Sequence, residues 1–479
     1  MISIALAAVL TGTVSASSNT YWYNRDMQAI EIPDVYVNRH ILSLENADDT
    51  PAVGVTDMFI APSGDMYILN GRNGEVLLYD RDYRRQRVLS VFHSARGKPF
   101  TLKNPQGIFV SKDGWLYIAD TDNHRVIRCD ATGREAEVFG RPNGVEELKN
   151  DEDYQPLKIV VDSSGRMFIT AKSVVNGILS LTRDGEFITY LGAPPVSLNP
   201  LTAFWRKFAT EEQKKRMINY IPTEYSNLTI DDSGFLYGTI SAITKEDFEA
   251  VLLSGGIETT AIRKINTVGQ DILRRQGKLP IVGDLVKGAQ SSIVDVALSD
   301  YGIYCLLDAA NGHVLAYDAD GNMLFVFGEL SDRKGAFLQP VAMDAHEGRL
   351  YVLDTRLAQV LVFERTAYGN TLYAAIREED EGNFDRAFAA WEKVLEQNPT
   401  FDLAYSGTGN LYLQKEDYKQ AMSYFKIAND MEGYSDAFEL SRKQYLKEIA
   451  PWIFGAAGLM ILALLLWGPA RRMILYIRT

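Results

Sequence analysis

The stretch PQGIFVSKDGWLYIADTDNHRVIRCDATG, residues 105–133, contains the alternation on which the fold depends. Its short apolar runs are separated by turn-forming pairs such as Asp113-Gly114, as expected for a four-stranded antiparallel sheet. The pattern recurs along the chain with a glycine in each first hairpin turn, at Gly64, Gly114, Gly165, Gly234, Gly302 and Gly348. Repeated sheets of this kind are predicted to close radially into a mainly β propeller, which leaves few exposed strand edges.

The quoted stretch resembles an NHL repeat, a family named for its Asn-His-Leu signature, and NGHVLAYDADGNMLFVFG at residues 311–328 is similar. The resemblance implies a six-bladed NHL-type β-propeller over residues 34–365. Its sixth unit shows only three evident strands, whereas residues 35–44 resemble an outer strand. We therefore predict that residues 35–44 supply the missing fourth strand and close the ring.

The hydrophobic period becomes that of helices after the propeller, over residues 366–448. Two units of 34 residues align from Tyr368 and from Asp402, and they share Ala387 with Ala421. This α-helical region resembles a pair of tetratricopeptide (TPR) repeats. Such repeats bind extended peptides or partner helices, so the resemblance implies a protein-interaction adaptor. The candidate partner-binding residues are Tyr405, Tyr412 and Tyr424.

The two ends of the chain suggest a membrane protein. Residues 449–467 contain no charge and would span about 28 Å as a helix, enough to cross a bilayer. We predict a transmembrane helix at 449–468 and a cytoplasmic tail at 469–479. Residues 1–16 have the apolar run and small residues of a signal peptide, although a preceding Lys or Arg is missing, and residues 17–33 are predicted to be a linker.

The topology has two alternatives. With a signal peptide, the bulk of the chain is extracytoplasmic and a single-pass anchor places the tail in the cytoplasm of the cell. Without one, the protein is tail-anchored and cytoplasmic. The order of signal, propeller, helical repeats and anchor resembles membrane-bound NHL–TPR proteins of Gram-positive bacteria, which implies an extracytoplasmic receptor or scaffold.

Composition excludes several classes of protein. The chain has 62 acidic and 49 basic residues and a net charge of −13, so nucleic acid is not an expected partner. Two cysteines and five histidines offer little material for a disulfide scaffold or a metal site. We therefore expect no metal, no cofactor and no catalytic residues.

A ligand site is predicted where the innermost strands begin, at one end of the propeller channel, here called the channel mouth. Counting back seven residues from each turn glycine places polar side chains there in four blades: Asp57, Lys158, Asn227 and Asp295. Gln106 precedes Gly107, the equivalent position of the second unit, and Tyr225 lies two residues before Asn227. Trp205 belongs to a long loop on the same face. The carboxylates could accept hydrogen bonds from a carbohydrate or cell-wall fragment, with Trp205 or Tyr225 stacking on a sugar ring.

Three functions remain open on this sequence. The first is a non-catalytic receptor whose channel mouth binds a ligand or a protein partner. The second is a metal-dependent lactonase or lyase, because some related propellers hold a divalent cation with Glu, Asn and Asp ligands; the fixed charge of Lys158 disfavours that ion. The third is an assembly scaffold whose channel polar groups bind only water.

Overall fold

The six glycines of the repeat share one backbone conformation. In the computed structural model their φ angles lie between 74° and 85°, in the left-handed region that only glycine enters without strain. Each therefore closes the first hairpin of a sheet. The structure describes residues 19–24, 27–172, 174–192, 225–240, 261–277, 279–284 and 291–477, with side chains described up to Gly468.

The described strands follow one another along the chain in short segments. The N-terminal strands are β1 (Tyr21–Tyr23), β2 (Ala29–Glu31) and β3 (Tyr36–Ser43). Next come β4 (Val55–Ile60), β5 (Met66–Asn70), β6 (Glu75–Tyr79), β7 (Arg85–Leu89), β8 (Phe92–His93), β9 (Pro99–Phe100), β10 (Gly107–Val110), β11 (Leu116–Asp120), β12 (Arg125–Cys129) and β13 (Glu137–Phe139). The remainder are β14 (Gln155–Val161), β15 (Met167–Lys172), β16 (Ile178–Leu181), β17 (Phe187–Leu191), β18 (Tyr225–Ile230), β19 (Leu236–Ile240), β20 (Ile262–Ile265), β21 (Ile293–Leu298), β22 (Tyr304–Asp308), β23 (His313–Tyr317), β24 (Met323–Phe327), β25 (Pro340–His346), β26 (Arg349–Asp354) and β27 (Gln359–Arg365).

These strands form the six blades of a propeller. Blades 1, 2 and 3 are the antiparallel sheets β4–β7, β10–β13 and β14–β17. Blade 4 contains β18–β20 among the described residues, and blade 5 is built on β21–β24. Blade 6 contains β25, β26 and β27. The first strand of each blade is the innermost one, so β4, β10, β14, β18, β21 and β25 surround the channel.

The predicted ring closure is confirmed. Strand β3 pairs antiparallel with β27, with Ile41 opposite Leu361, and so supplies the fourth strand of blade 6. Tyr36 at its start is fully buried and stacks on Phe327 of blade 5, with ring centroids 5.7 Å apart. The N-terminal part of the chain therefore joins the last blade to the rest of the ring.

The segment predicted to be a linker contains a β-hairpin. Strands β1 and β2 pair with each other, and Tyr21 pairs with Val326 of β24, which extends blade 5 outward. Side-chain hydrogen bonds hold the hairpin in place, because the Tyr21 and Tyr23 hydroxyls both donate to the buried Asp284 carboxylate. Asp284 also pairs with His313 of β23.

Neighbouring blades pack through their apolar faces. Leu69 of blade 1 and Ile118 of blade 2, for example, belong to one cluster and are completely buried. Asp120, at the end of β11, accepts from the Lys103 amide at 2.7 Å. The core thus lies between the blades rather than in the channel.

The C-terminal unit, residues 371–479, is helical in its described part, which ends at residue 477. Its described helices are α1 (Ala367–Asp380, which starts in the propeller unit), α2 (Phe384–Gln397), α3 (Asp402–Gln414), α4 (Tyr418–Ile427) and α5 (Met431–Ile477). Trp391 of α2 is buried against Gly407 of α3, where a Cβ atom would lie only 2.7 Å from the indole nitrogen. The part of helix α5 from Met431 to Gly468 is long and apolar enough to cross a membrane.

Candidate functional site

Four polar side chains from different blades lie together in the propeller channel. Lys158 of blade 3 donates to the Asp57 carboxylate of blade 1 at 2.5 Å. Asn227 of blade 4 donates to the Asp295 carboxylate of blade 5 at 2.6 Å. All four occupy the position seven residues before the turn glycine, so equivalence within the repeat brings them to one level. The predicted convergence is therefore present, as two bonded pairs that are largely buried.

The same side chains also join adjacent blades through the backbone. Asp57 accepts from the Ile108 amide of blade 2 at 2.8 Å, and Asp295 accepts from the Met343 amide of blade 6 at 2.7 Å. Asn227 donates to the Val294 carbonyl of blade 5 at 3.0 Å. These bonds satisfy groups that would otherwise be costly to bury.

The other three junctions between blades are bridged in the same way. Asp344 of blade 6 accepts from the Ile60 amide of blade 1 at 2.7 Å. Thr121 of blade 2 donates to the Pro156 carbonyl of blade 3 at 2.7 Å. Tyr225 of blade 4 donates to the Gly192 carbonyl, which follows β17 of blade 3, at 2.7 Å. At every junction in the ring, at least one side chain is therefore hydrogen-bonded to the neighbouring blade.

Burial shapes the electrostatics of the channel. It raises the pKa of Asp295 to about 7; the neighbouring Lys158 acts to lower that pKa and Asp57 to raise it. Burial likewise raises the pKa of Asp344 to about 7, although the amides of Ile60 and Ala345 counteract the shift. A carboxyl group in such surroundings takes up a proton near neutral pH. Asp295 and Asp344 are therefore partly protonated at neutral pH.

The remaining residues predicted at the channel mouth have different positions. Gln106 is partly exposed, and its amide donates to the Asn104 side chain at 2.8 Å. Tyr225 is buried, so its ring is not available to stack on a sugar. Burial also raises the pKa of its hydroxyl to about 12. Trp205 lies outside the described residues, as does most of its loop.

A cavity of about 660 Å³ opens at the opposite end of the channel from the mouth. Its apolar lining includes Phe59 and Phe109, which are in edge-to-face contact with centroids 5.0 Å apart, together with Val161 and Ile230. These residues follow the polar level by a few positions along each innermost strand. The first hairpin turns of blades 2, 3 and 4 form the polar rim of the cavity, which is lined by Ser111, Lys112, Asp113, Asp162, Ser163, Ser164, Arg166, Asp231, Asp232 and Ser233.

The rim of this cavity is hydrogen-bonded and charged. Asp162 accepts from the Ser164 and Arg166 amides at 2.9 and 3.0 Å, which fixes the turn of blade 3. Lys112 of blade 2 reaches Asp232 of blade 4 at 2.7 Å and so links two sides of the rim. Arg183 also lines the cavity, and within the described part of the chain it has no ion-pair partner. Its guanidinium is thus a donor to which an anionic group could bind.

The carboxylate oxygens of the polar level each accept from a protein donor. Among the described residues, no three His, Cys, Asp or Glu side chains are close enough together to hold an ion. The two carboxylates of the polar level are already engaged, since Asp57 binds Lys158 and Ile108 while Asp295 binds Asn227 and Met343. A cation there would have to displace bonds that hold the blades together.

Two of the three tyrosines predicted to bind a partner are in contact in the helical unit. Tyr412 and Tyr424 stack with centroids 5.2 Å apart, and Phe388 meets Tyr412 edge to face at 5.6 Å. Both tyrosines are partly exposed. Tyr405 donates from its hydroxyl to the Pro399 carbonyl at 3.1 Å, which ties it to the turn between α2 and α3.

Sequence reasoning missed two features of the propeller. Asp344 was not singled out, although a carboxylate inside an otherwise apolar innermost strand is the signal that could have identified it. The cavity was also missed, because Phe59 and Phe109 read simply as buried strand residues. Counting two residues on from the polar level would have placed them around the same channel.

Comparisons with known proteins leave the family open. No protein-family profile matches the chain, and no curated protein sequence matches it either. Among solved structures, the chain resembles virginiamycin B lyase from Staphylococcus aureus with a TM-score of 0.41 and 10% identity, over 69% of this chain and 100% of that chain. It also resembles a propeller of the gluconolactonase family with a TM-score of 0.40 and 13% identity, over 70% of this chain and 94% of that chain. Similarities this low carry no argument about activity, so the six-bladed assignment rests on the strand pairing described above.

Proposed function

We propose that this chain is a non-catalytic receptor or scaffold, anchored in the cell membrane by α5, whose propeller binds a ligand or protein partner outside the cytoplasm. The observation that carries the proposal is that two levels of the channel have different structures. At one level the polar side chains bond to one another and to neighbouring blades. Beyond that level an open cavity combines an apolar lining with the guanidinium of Arg183, which no described carboxylate pairs.

The use of the polar side chains favours binding over catalysis. A general base or metal ligand needs an unengaged atom facing the reactant. Asp57 and Asp295 instead accept hydrogen bonds from protein donors at both of their oxygens. The lactonase or lyase alternative would require those bonds to be replaced, and no observation favours it.

The cavity suits a small amphipathic anion. Its volume of about 660 Å³ is in the range of pockets for small molecules, and its lining pairs aromatic rings with hydroxyls and charges. A carbohydrate or peptide fragment of the cell wall that carries a carboxylate would meet both features. Its apolar groups would contact Phe59 and Phe109, and its carboxylate would bind Arg183.

The helical unit would then serve as an adaptor. The stacked pair Tyr412 and Tyr424 is partly exposed beside the Lys415–Asp385 ion pair, whose atoms are 2.7 Å apart. Aromatic side chains such as tyrosine are enriched at surfaces that bind other proteins. We place a protein partner there, in addition to the ligand of the propeller.

The test is a binding titration of the full chain in nanodiscs with a fluorescently labelled muropeptide, monitored by anisotropy. Arg183→Gln should raise the Kd about tenfold, which corresponds to the loss of one charge-assisted hydrogen bond. Arg134→Gln, an exposed arginine outside the cavity lining, is the matched control and should bind like the wild type. Gln106→Ala tests the channel mouth in parallel.

The outcomes separate the two ends of the channel. A loss confined to Gln106→Ala would place the ligand at the mouth, as the sequence predicts, and reject the cavity. Unchanged binding in both variants would reject both sites. No binding by the wild type would leave the pure scaffold as the better description.

A further inference from the structure

Helix α5 carries a row of large apolar side chains that is independent of the propeller. The row has a strict spacing of seven residues and comprises Met431, Phe438, Tyr445, Trp452, Leu459 and Leu466. All six are exposed, with 52% to 80% of their surface accessible. Three of them precede residue 449 and therefore lie outside the uncharged stretch, where lipid would not cover them.

We propose that two copies of this chain associate in parallel along this row, the α5 face, to form a dimer. The proposal rests on the membrane anchoring put forward above. Anchors in the same membrane hold two copies of α5 at the same depth and in the same direction. Each residue of the row then faces its own counterpart in the second copy, without any shift in register.

The spacing itself argues for a helical partner. On a straight α-helix, positions seven residues apart drift by about 20° per heptad, so the row would wind around α5 over its five intervals. Winding two helices around each other in a left-handed supercoil keeps such a row on one seam. A globular partner or a flat lipid surface would not require a seven-residue period.

The exposure of the middle of α5 points in the same direction. Ala437 is buried against α4 and its neighbours, but from residue 438 to residue 448 all residues except Ser441 are exposed. Within the described residues, this stretch of α5 therefore has little packing of its own side chains against the rest of the chain. Phe438 and Tyr445 would add apolar surface in contact with water unless another helix covered them.

Small residues extend the α5 face into the membrane. Between Trp452 and Leu459 the chain reads Gly455-Ala456-Ala457-Gly458, and Cβ atoms built at the two glycines would meet no other atom within 4 Å. Gly455 and Ala456 stand three and four residues after Trp452, and therefore beside the row. Small residues at such positions allow transmembrane helices to approach closely.

The test is cysteine crosslinking of the full-length protein in native membranes. Phe438→Cys and Tyr445→Cys lie on the row, whereas Leu440→Cys and Lys447→Cys each lie two residues further on, about 200° around the helix. The natural thiols of Cys129 and Cys305 are buried, and burial raises the pKa of each to about 12, so they give no background. Mild oxidation should yield about tenfold more disulfide dimer at the two row positions, because the facing thiols have a high effective concentration.

Several results would overturn the proposal: equal yields at the four positions, no dimer at any of them, or adducts with a protein of another mass. A second variant guards against misfolding. Phe438→Lys with Tyr445→Lys should abolish crosslinking through Trp452→Cys by placing like charges opposite each other, while the thermal unfolding of the protein stays unchanged. Membrane fractionation of the same samples is read separately, since a chain absent from membranes contradicts the anchoring and not the α5 face.

Discussion

The ion pair between Lys158 and Asp57 is the interaction in the channel that a single substitution tests most directly. Both side chains are almost buried, and their charged atoms are 2.5 Å apart. Lys158→Met removes the partner and leaves the Asp57 carboxylate in a poorly solvated site. The free energy of unfolding should fall by about 3 kcal/mol, as measured by denaturant titration.

Two comparisons identify the cause of that loss. The double variant Lys158→Met/Asp57→Asn removes the uncompensated charge and should regain more than half of the loss. Lys264→Met breaks the more exposed pair with Asp231, whose atoms are 3.5 Å apart, and should cost less than about 1 kcal/mol. If Lys158→Met proves as stable as the wild type, the pair contributes nothing to the ring.

Asp295 should make the stability of the propeller depend on pH. Burial raises its pKa from 3.8 to about 7, so the folded chain holds this proton more tightly than the unfolded chain does. The free energy of unfolding therefore falls as the pH rises from about 4 to about 7 and is level above that range. Asp295→Asn should remove on the order of 4 kcal/mol of this fall, measured by thermal unfolding at a series of pH values.

The slope rather than the absolute stability is the informative quantity, because the amide introduced by Asp295→Asn cannot accept from all three donors that the Asp295 carboxylate serves. Asp344 and Asp318, with pKa values raised by burial to about 7 and about 6, should leave part of the slope in place. Asp82→Asn, at an exposed turn, is the control. A slope identical to that of the wild type in Asp295→Asn would show that this carboxyl group does not titrate in the range.

The sequence predicts that the four polar residues of the channel lie together, but it does not predict their hydrogen-bond partners. Asp57, Lys158, Asn227 and Asp295 occupy one position of the repeat, and symmetry alone places that position around the channel. Which backbone amide each side chain reaches depends on the distance between adjacent blades, and no local sequence pattern encodes that distance. The same limit explains why Tyr225, chosen for its ring, proves to bridge blades 3 and 4.

At the scale of the element, β3 should decide whether the ring stays closed. Deleting residues 34–44 leaves the edge of β27 unpaired and removes the buried side chains of Val35, Tyr36 and Leu42. Each contributes about 1.5–3 kcal/mol by burial, and the sum is comparable with the whole stability of a domain. The propeller should become sensitive to protease and lose its cooperative thermal transition.

Deletion of residues 19–32 is the matched comparison. It removes β1 and β2 from the outer edge of blade 5 but leaves β3 in place, so the ring stays closed. We expect a lower unfolding midpoint with cooperativity retained. If both deletions lowered the unfolding midpoint and the cooperativity equally, ring closure would contribute no more to stability than the β1–β2 hairpin does.

The two elements also differ in how far the sequence predicts them. Strand β3 has eight residues and resembles an outer strand, and the three-stranded sixth unit lacks one, so its partner follows from elimination. Strands β1 and β2 have three residues each. The pairing of β1 with β24 joins segments about three hundred residues apart along the chain, and nothing local indicates it. The helices α2 and α3, by contrast, follow from periodicity alone.

At the scale of the whole molecule, the side of the membrane on which the propeller lies determines which ligands it can meet. A cell-wall fragment is available only outside the cytoplasm, whereas a tail-anchored protein would meet cytoplasmic ligands. The orientation of α5 therefore limits the proposed function more strongly than any single residue of the cavity does.

Single cysteines on both sides of α5 can report this orientation. The natural cysteines are buried and hold their protons at neutral pH, so an introduced thiol is the only reactive one in the described part of the fold. Lys98→Cys lies in an exposed turn between β8 and β9, and Thr479→Cys marks the predicted cytoplasmic tail. A membrane-impermeant maleimide added to intact cells should label Lys98→Cys, and it should label Thr479→Cys only after lysis. The reverse pattern would place the propeller in the cytoplasm, and the ligand would then have to be sought among cytoplasmic anions, with the cavity and Arg183 as before.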